Sequence, residues 1–288
     1  MTDTGSKARE SAAFDEDVIV IGSGFGGSVS ALRLVDKGYR VRVYEAGRRF
    51  EDEDFAKTSW DVRRYLWAPA FGCFGIQRIH RLPHVMILAG AGVGGGSLNY
   101  ANTLYQPGGA FFTDPQWSAL ANWDAELSPH YATAKRMLGV VERYPHSGPV
   151  ERIMAGAADD LGVGSSFRRA PVGVWFGRPG ERTPDPFFDG EGPDRTGCTL
   201  CGNCMVGCRV GAKNTLMKNY LALAERRGAA IEPLRTVTEG RALTGGGFAV
   251  TSERSGAWLR RERRTVRARQ VVLAAGTWGT QQLLHRMK

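Results

Sequence analysis

An α/β fold with a parallel sheet at its centre is what the sequence predicts, on three observations. The apolar stretch Asp17-Val-Ile-Val-Ile21 runs directly into a glycine turn, Gly22-Ser-Gly-Phe-Gly-Gly27. A helical pattern follows, and a second apolar stretch closes on an acid, Glu45, eighteen residues after the turn. Near the other end, Gln270-Val-Val-Leu-Ala-Ala275 offers another strand of the same kind. Strand, turn, helix and strand within about 30 residues make the smallest parallel unit, because parallel neighbours need a crossover.

Each part of the first unit has a physical reason. Gly22 permits the tight turn out of the strand, and Gly24 lets backbone approach a phosphate with no Cβ in the way. Gly27 lets the helix lie close on the sheet. The helix is expected over Ser28–Asp36, with Ala31, Leu32 and Val35 facing the sheet and Lys37-Gly38 ending it. The next strand is Arg40-Val-Arg-Val-Tyr-Glu45. This arrangement puts a pyrophosphate against a helix N-terminus and ribose hydroxyls against the Glu45 carboxylate. Gly22, Gly24, Phe25, Gly26, Gly27 and Glu45 are therefore the first candidate cofactor-binding residues. The acid disfavours a ribose bearing a 2′-phosphate, so NADP is set aside while FAD and NAD both stay open.

A second glycine segment is Ala89-Gly-Ala-Gly-Val-Gly-Gly-Gly-Ser-Leu-Asn-Tyr-Ala-Asn102. Five glycines between Gly90 and Gly96 mean backbone lying close to something bulky, with free N–H groups able to meet it. Val85-Met-Ile-Leu-Ala89 ahead of it is expected to be a buried strand rather than a tether. The third segment, Gln270 to Leu284, couples the late strand to a turn at Ala275-Gly276 and a last helix.

In these three ordered segments the chain resembles the glucose–methanol–choline (GMC) family of FAD oxidoreductases, in particular its actinobacterial cholesterol-oxidase-like branch. The resemblance runs from about residue 15 to the end. It implies a discontinuous Rossmann-type FAD-binding domain, over 15–106 and 213–288, with an α+β substrate domain inserted at 107–212. It implies FAD as cofactor, with Gly92, Gly94, Gly95, Ser97 and Asn102 in the segment beneath the flavin. Val237 would lie near the adenine, and Ala275 and Gly276 would complete the site. Many cholesterol oxidases carry an Asn-Gly pair shortly after the serine; here Asn99 and Asn102 flank that position, and Asn102 is the candidate. The implied reaction is oxidation of an alcohol, such as a sterol 3-hydroxyl, with O2 or another electron acceptor. The family's catalytic histidine and asparagine, with the last glycine-rich FAD segment, are expected beyond Lys288. On that reading the chain is an N-terminal half, inactive alone, with the C-terminal part of the family fold missing. His80, His84, His130, His146 and His285 match no catalytic context, and His80 and His84 are expected in a surface loop.

Between the glycine segments, a helix over Ser128–Leu138 is expected from Ser128 as cap and Pro129 at the first position. Further helices are expected over Val150–Leu161 and Asn214–Arg227, the latter capped by Asn214 and stopped by Gly228. Gly177 to Gly197 reads as loop, and Ala230 to Val237 as strand. Trp60 to Phe74, rich in aromatics, is either a lid over an apolar pocket or a buried helix and loop.

Four of five cysteines stand as Cys198-x2-Cys201-x2-Cys204-x3-Cys208. That is the spacing of a bacterial ferredoxin run, with Arg209 where proline usually follows. An iron–sulfur cluster, a four-thiolate zinc site and a metal-free turn are the open readings. A [4Fe-4S] cluster on this run would need Cys208 to bend back, or Cys73 to join.

The net charge is +9. Much of it lies in Trp258-Leu-Arg-Arg-Glu-Arg-Arg-Thr-Val-Arg-Ala-Arg269, expected to form a β-hairpin with Phe248–Glu253 whose charges face solvent. Weak attraction to a membrane surface ranks next, and a nucleic-acid partner is not expected. The polar start lacks an apolar leader, so residues 1–14 are expected to be a disordered tail and the protein cytoplasmic.

Overall fold

The computed structural model describes residues 14–144 and 146–287. The tail expected over residues 1–14 thus lies outside the described residues except for Phe14. At the centre, β1 (Glu16–Ile21) pairs in parallel with β2 (Val41–Tyr44), and α1 (Phe25–Val35) crosses between them. Val18, Ile19 and Val20 are almost wholly buried, as a strand covered on both faces requires.

A separate hairpin, four further strands and four further helices complete the framework. β3 (Gln77–Arg81) and β4 (Met86–Gly90) form a separate antiparallel pair. The helices α2 (Trp123–Met137), α3 (Pro149–Asp160) and α4 (Tyr220–Arg226) follow. Then come β5 (Ala230–Glu232), β6 (Arg235–Ala242), β7 (Phe248–Arg254), β8 (Arg264–Leu273) and α5 (Gly276–Met287). The main sheet has the order β6-β7-β8-β1-β2-β5. β8 pairs antiparallel with β7 along one edge and parallel with β1 along the other, so Ala268 lies between Phe248 and Glu16. The expected hairpin and the expected late strand are therefore one ten-residue element.

The sheet is covered on both faces. Ala31, Leu32 and Val35 of α1 pack with Leu221, Leu223 and Ala224 of α4 over Val18, Val20, Val41 and Val43. On the other face Leu283 of α5 meets Ile19, Ile21, Tyr44 and Val237. Full burial of a side chain such as Leu32 contributes about 2 kcal/mol.

Several expected boundaries shift for local reasons. α2 begins at Trp123 and not at Ser128, because the Asn122 side chain caps it by accepting from the Ala125 N–H. Pro129 then falls inside the helix. α4 is shorter than expected: Asn219 caps it, while the Asn214 amide donates to the Gly139 carbonyl instead. Ala230–Val237 is two strands, since the chain turns at Pro233-Leu234 with Leu234 left-handed at φ 56°. α3 matches its expected span to within one residue at each end. Among its described residues the segment 107–212 is mostly helix and loop, with strand only in the two-residue pair Arg182–Thr183 and Arg195–Thr196.

The strand expected at Val85–Ala89 forms one residue later, but it is not buried. Val85, Met86 and Leu88 are exposed because β4 belongs to a two-stranded hairpin outside the main sheet. Trp60 and Phe71 are also exposed, so the aromatic stretch is not a buried helix. The basic run behaves as expected, with Arg261, Arg263 and Arg264 solvated and paired with Glu253, Glu239 and Glu262.

The loop between Gly177 and Gly197 is tied by one carboxylate. Asp185 accepts from the backbone N–H groups of Phe187, Phe188, Gly190 and Gly192. Partial burial pushes its pKa up, but these donors outweigh that and hold it below the ordinary 3.8. A lowered carboxyl pKa stabilises the fold above the unfolded value and loses that contribution as pH falls through the folded value. Asp185→Asn is therefore expected to flatten the loss of stability below about pH 4. It is also expected to lower stability near neutrality by about 1–2 kcal/mol. Denaturant melts across that pH range check both.

Candidate functional site

The candidate site forms where the strands of the parallel unit end and the glycine segments meet. Gly22 leaves β1 with φ 102°, and its N–H donates to the Tyr44 carbonyl over 2.8 Å. A Cβ on Gly27 would lie 1.9 Å from the Gly22 carbonyl oxygen, so that glycine is what brings α1 onto the turn. Gly24 and Gly26 differ: a Cβ on either would meet nothing within 4 Å. The open side of the turn thus lies over Gly24 and Gly26, at the N-terminus of α1.

Glu45 joins the pieces. It is buried, and its Oε2 accepts from the Ser23 backbone N–H at 3.1 Å and from Ser23 Oγ at 2.7 Å. Its Oε1 accepts from the backbone N–H groups of Gly47 at 2.8 Å and Gly92 at 3.4 Å. Gly94 N–H donates in turn to Ser23 Oγ at 3.1 Å. The second glycine segment is therefore stitched onto the first through Ser23 and Glu45. A Cβ on Gly95 would stand 2.8 Å from Gly24 Cα, so those two backbones touch.

Ser97 is buried, donating to the Gly94 carbonyl and accepting from the Leu216 N–H. The Ala275-Gly276 turn closes the other side. A Cβ on Gly22 would lie 2.3 Å from the Ala274 oxygen and 2.9 Å from Ala275 Cα, and Gly276 is left-handed at φ 72°. The chain just before Val237 is held to the same place by Arg235 N–H donating to the Glu45 carbonyl. The Val237 side chain itself points into the core beside Tyr44 and Ile21. Phe25 is partly exposed and stands edge-on to Tyr100.

Two candidates lie elsewhere. Asn102 faces the cysteine turn, its Nδ2 donating to Cys204 Sγ at 3.3 Å. Asn99 donates to Gln77. His80 is in β3 rather than a loop, 5.3 Å from the Trp278 ring, and burial followed by Arg78 lowers its pKa. His84, His130, His146 and His285 are exposed.

The cysteine turn makes a second centre. Cys198, Cys201, Cys204 and Cys208 line a cavity of about 470 Å³ together with Asn102 and Lys213. Cys73 lies apart on a two-residue strand paired with Ala68. Lys213 is buried, and its Nζ donates to the carbonyls of Leu98 at 2.7 Å and Cys204 at 2.8 Å. Burial pulls the Lys213 pKa down to about 8, against the opposing effect of Cys204 and Cys208. Burial also raises the Cys204 thiol pKa, with Lys213 acting the other way. Among the described residues no three His, Cys, Asp or Glu side chains form a ready group for a metal ion. Neither the zinc nor the iron–sulfur expectation therefore meets a preformed site.

Sequence reasoning passed over Ser23, Gly47, Lys213 and Arg195. Ser23 and Gly47 carry a signal, since one stands within the glycine turn and the other two residues after the acid. A Cβ on Gly47 would lie 2.0 Å from the Gly92 N. Lys213 and Arg195 carry none, because a lysine or arginine reads as surface until its burial is seen.

With that geometry established, known proteins give it a family. A GMC oxidoreductase family model matches residues 192–287. A model for an NAD(P)-binding Rossmann-like domain matches residues 20–50, the β1–α1–β2 unit and the segment after it. A cholesterol oxidase of Mycobacterium tuberculosis is 61% identical over 279 residues, which is 95% of this chain and 48% of that protein. The chain belongs to the GMC oxidoreductase family. A cholesterol oxidase of Acinetobacter baumannii is 45% identical, over 96% of this chain and 51% of its own. This GMC chain thus spans about half the length of the curated relatives it matches. The crystal structure of pyridoxine 4-oxidase from Mesorbium loti superposes with a TM-score of 0.54 over 91% of this chain and 50% of that one. At 17% identity that likeness shows the fold alone.

Proposed function

We propose that this chain binds FAD and contributes to the oxidation of an alcohol, with a sterol 3-hydroxyl as substrate and O2 as acceptor. The observation that carries the reading is the junction of Glu45, Ser23, Gly92 and Gly94 beside the open face of Gly24 and Gly26. The residues present fit the group. Gly24 and Gly26 leave room for a pyrophosphate at the N-terminus of α1, and Glu45 supplies a carboxylate for ribose hydroxyls. Gly92, Gly94 and Gly95, all left-handed, let the second segment run close beneath a ring system. Bound FAD would supply the hydride-accepting chemistry, while the protein binds, orients and excludes water. The sterol and O2 are supported by likeness to the two cholesterol oxidases.

The test is to purify the protein, identify any bound nucleotide by chromatography after denaturation, and titrate the protein with FAD and NAD. One FAD per chain is expected. Preference for NAD sinks the cofactor assignment. In a protein that carries this chain and spans the full length of those relatives, cholesterol under anaerobic conditions is expected to bleach the bound flavin. Cholestane, which lacks the hydroxyl, is not. This chain alone is expected to bind flavin without being bleached. Under air, near-stoichiometric peroxide per sterol oxidised supports the O2 assignment. A second reading, electron transfer to a protein or quinone, is favoured by the contact of the Leu98–Asn102 segment with the cysteine turn. Low peroxide with continued turnover selects it.

A further inference from the structure

The cysteine turn brings sulfur acceptors and two buried cations together. Three of its sulfurs accept from N–H groups. Leu200 N–H donates to Cys198 Sγ at 3.4 Å, Asn102 Nδ2 to Cys204 Sγ at 3.3 Å, and Lys213 N–H to Cys208 Sγ at 3.4 Å. A thiol sulfur is a weak acceptor, whereas a thiolate or metal-bound sulfur is a strong one. Beside them stand two buried cations, Lys213 and Arg195. Lys213 meets two carbonyls and, at 4.9 Å, the Tyr100 ring. Arg195 meets the carbonyls of Gly211 and Ala212 and, at 5.6 Å, the Phe187 ring. Carbonyls satisfy the donors but do not neutralise the charge. Asp52 and Asp185 act on Arg195 from a distance, whereas the groups acting on Lys213 are Cys204 and Cys208. A buried cation without a close counter-charge is costly.

We propose that Cys198, Cys201, Cys204 and Cys208 hold an iron–sulfur cluster in the cavity they line, with Lys213 and Arg195 offsetting its negative charge. The group is polynuclear for a geometric reason. A single zinc ion would draw all four sulfurs to about 2.3 Å from one centre. No such convergence exists among the described residues, yet the four side chains ring one cavity of about 470 Å³. A cluster holds its ligand sulfurs well apart and fills space of its own. The backbone is shaped to wrap a central body, with Leu200, Gly202 and Gly207 all at positive φ. Leu200 shares this conformation with Leu234 at the turn before β6, so it marks a tight turn in the cysteine segment. Cys208 bends back to join the other three, as a single site on this spacing requires. Binding exchanges four thiol protons for four iron–sulfur bonds and leaves iron and sulfide oxidation states unchanged. The proposal does not depend on the identity of the dinucleotide.

The test is protein purified anaerobically and assayed for iron, acid-labile sulfide and zinc, with electron paramagnetic resonance before and after dithionite. Roughly three to four irons per chain with matching sulfide, and a signal that responds to dithionite, are expected. Iron and sulfide at background, both as purified and after reconstitution with ferric and ferrous iron in equal amounts and sulfide under argon, overturn the proposal. One zinc per chain, or a disulfide among the four cysteines as the resident state, overturns it equally. Cys201 is exposed, so Cys201→Ser removes a ligand without disturbing packing. It is expected to lose at least one iron per chain and change the resonance signal, with an unaltered circular dichroism spectrum. Full iron content in that variant removes Cys201 from the ligand set and overturns the four-cysteine site.

Discussion

Gly27→Ala is expected to unfold the N-terminal βαβ unit, whereas Gly24→Ala is expected to fold normally and lose only the dinucleotide. The two glycines are three residues apart in one turn and do different work. A Cβ on Gly27 would fall 1.9 Å from the Gly22 oxygen, 2.9 Å from its carbon and 3.3 Å from Val20 Cγ1. The Gly22 backbone cannot retreat, because its N–H is bonded to Tyr44 and its Cα side is packed on Ala274 and Ala275. The helix must lift off the sheet instead, uncovering Ala31, Leu32 and Val35. Overpacking of this kind costs about 3 kcal/mol or more, a large part of a domain's stability. Gly24 has an ordinary φ of −68° and no neighbour within 4 Å of a Cβ. If FAD binds as proposed, a methyl there would meet only its pyrophosphate. Thermal melts without ligand separate the two variants, and flavin titration of Gly24→Ala tests the site. If Gly24→Ala melts like the parent and binds FAD equally well, the phosphate does not lie over this turn.

Glu45→Ala is expected to fail twice. In the protein alone it leaves the buried N–H groups of Ser23, Gly47 and Gly92 without their acceptor, at about 2–4 kcal/mol in total. In the FAD complex proposed above it would also remove the charged partner of the ribose hydroxyls, worth about 1.5–3 kcal/mol, or roughly 10- to 100-fold in FAD affinity. Glu45→Gln separates the two effects. It keeps the shape and one acceptor, so it should recover much of the stability while still binding FAD weakly. Denaturant melts and flavin titration on all three proteins provide the measurement. Equal FAD affinity in Glu45→Gln and the parent would show that the carboxylate charge serves only the fold.

The parallel unit and the glycine turns were readable because each rests on local chemistry. An unbroken apolar run needs two covered faces, and a glycine between strand and helix needs close backbone contact. Ala31, Leu32 and Val35 could be assigned from spacing alone. The boundaries that moved did so where one polar side chain outcompeted another nearby. Asn122 capped α2 ahead of Ser128, and Asn219 capped α4 while Asn214 was drawn across to Gly139. The exposure of β4 could not be read, since an apolar run of five residues looks the same in a sheet and in an isolated hairpin. The environment of the cysteines was hidden for another reason. Their spacing is local, but the charges that decide their chemistry arrive through Lys213 and Arg195, whose burial is a property of the assembled fold.

The double pairing of β8 has a consequence for how this chain is made. β1 leaves the ribosome early, with an apolar edge and a neighbour already available on one side only, in β2. Its other neighbour follows 252 residues later, the separation of Asp15 from Arg267. At about 5–20 residues per second, that wait lasts on the order of 10 to 50 seconds. Throughout it, Ile19 and Ile21 have no α5 above them and β1 has an open hydrogen-bonding edge, the feature that recruits stray strands. The N-terminal unit is thereby exposed to aggregation while the rest is synthesised. Yield on overexpression should therefore respond to chaperone supply and growth temperature more than to changes in the exposed basic run.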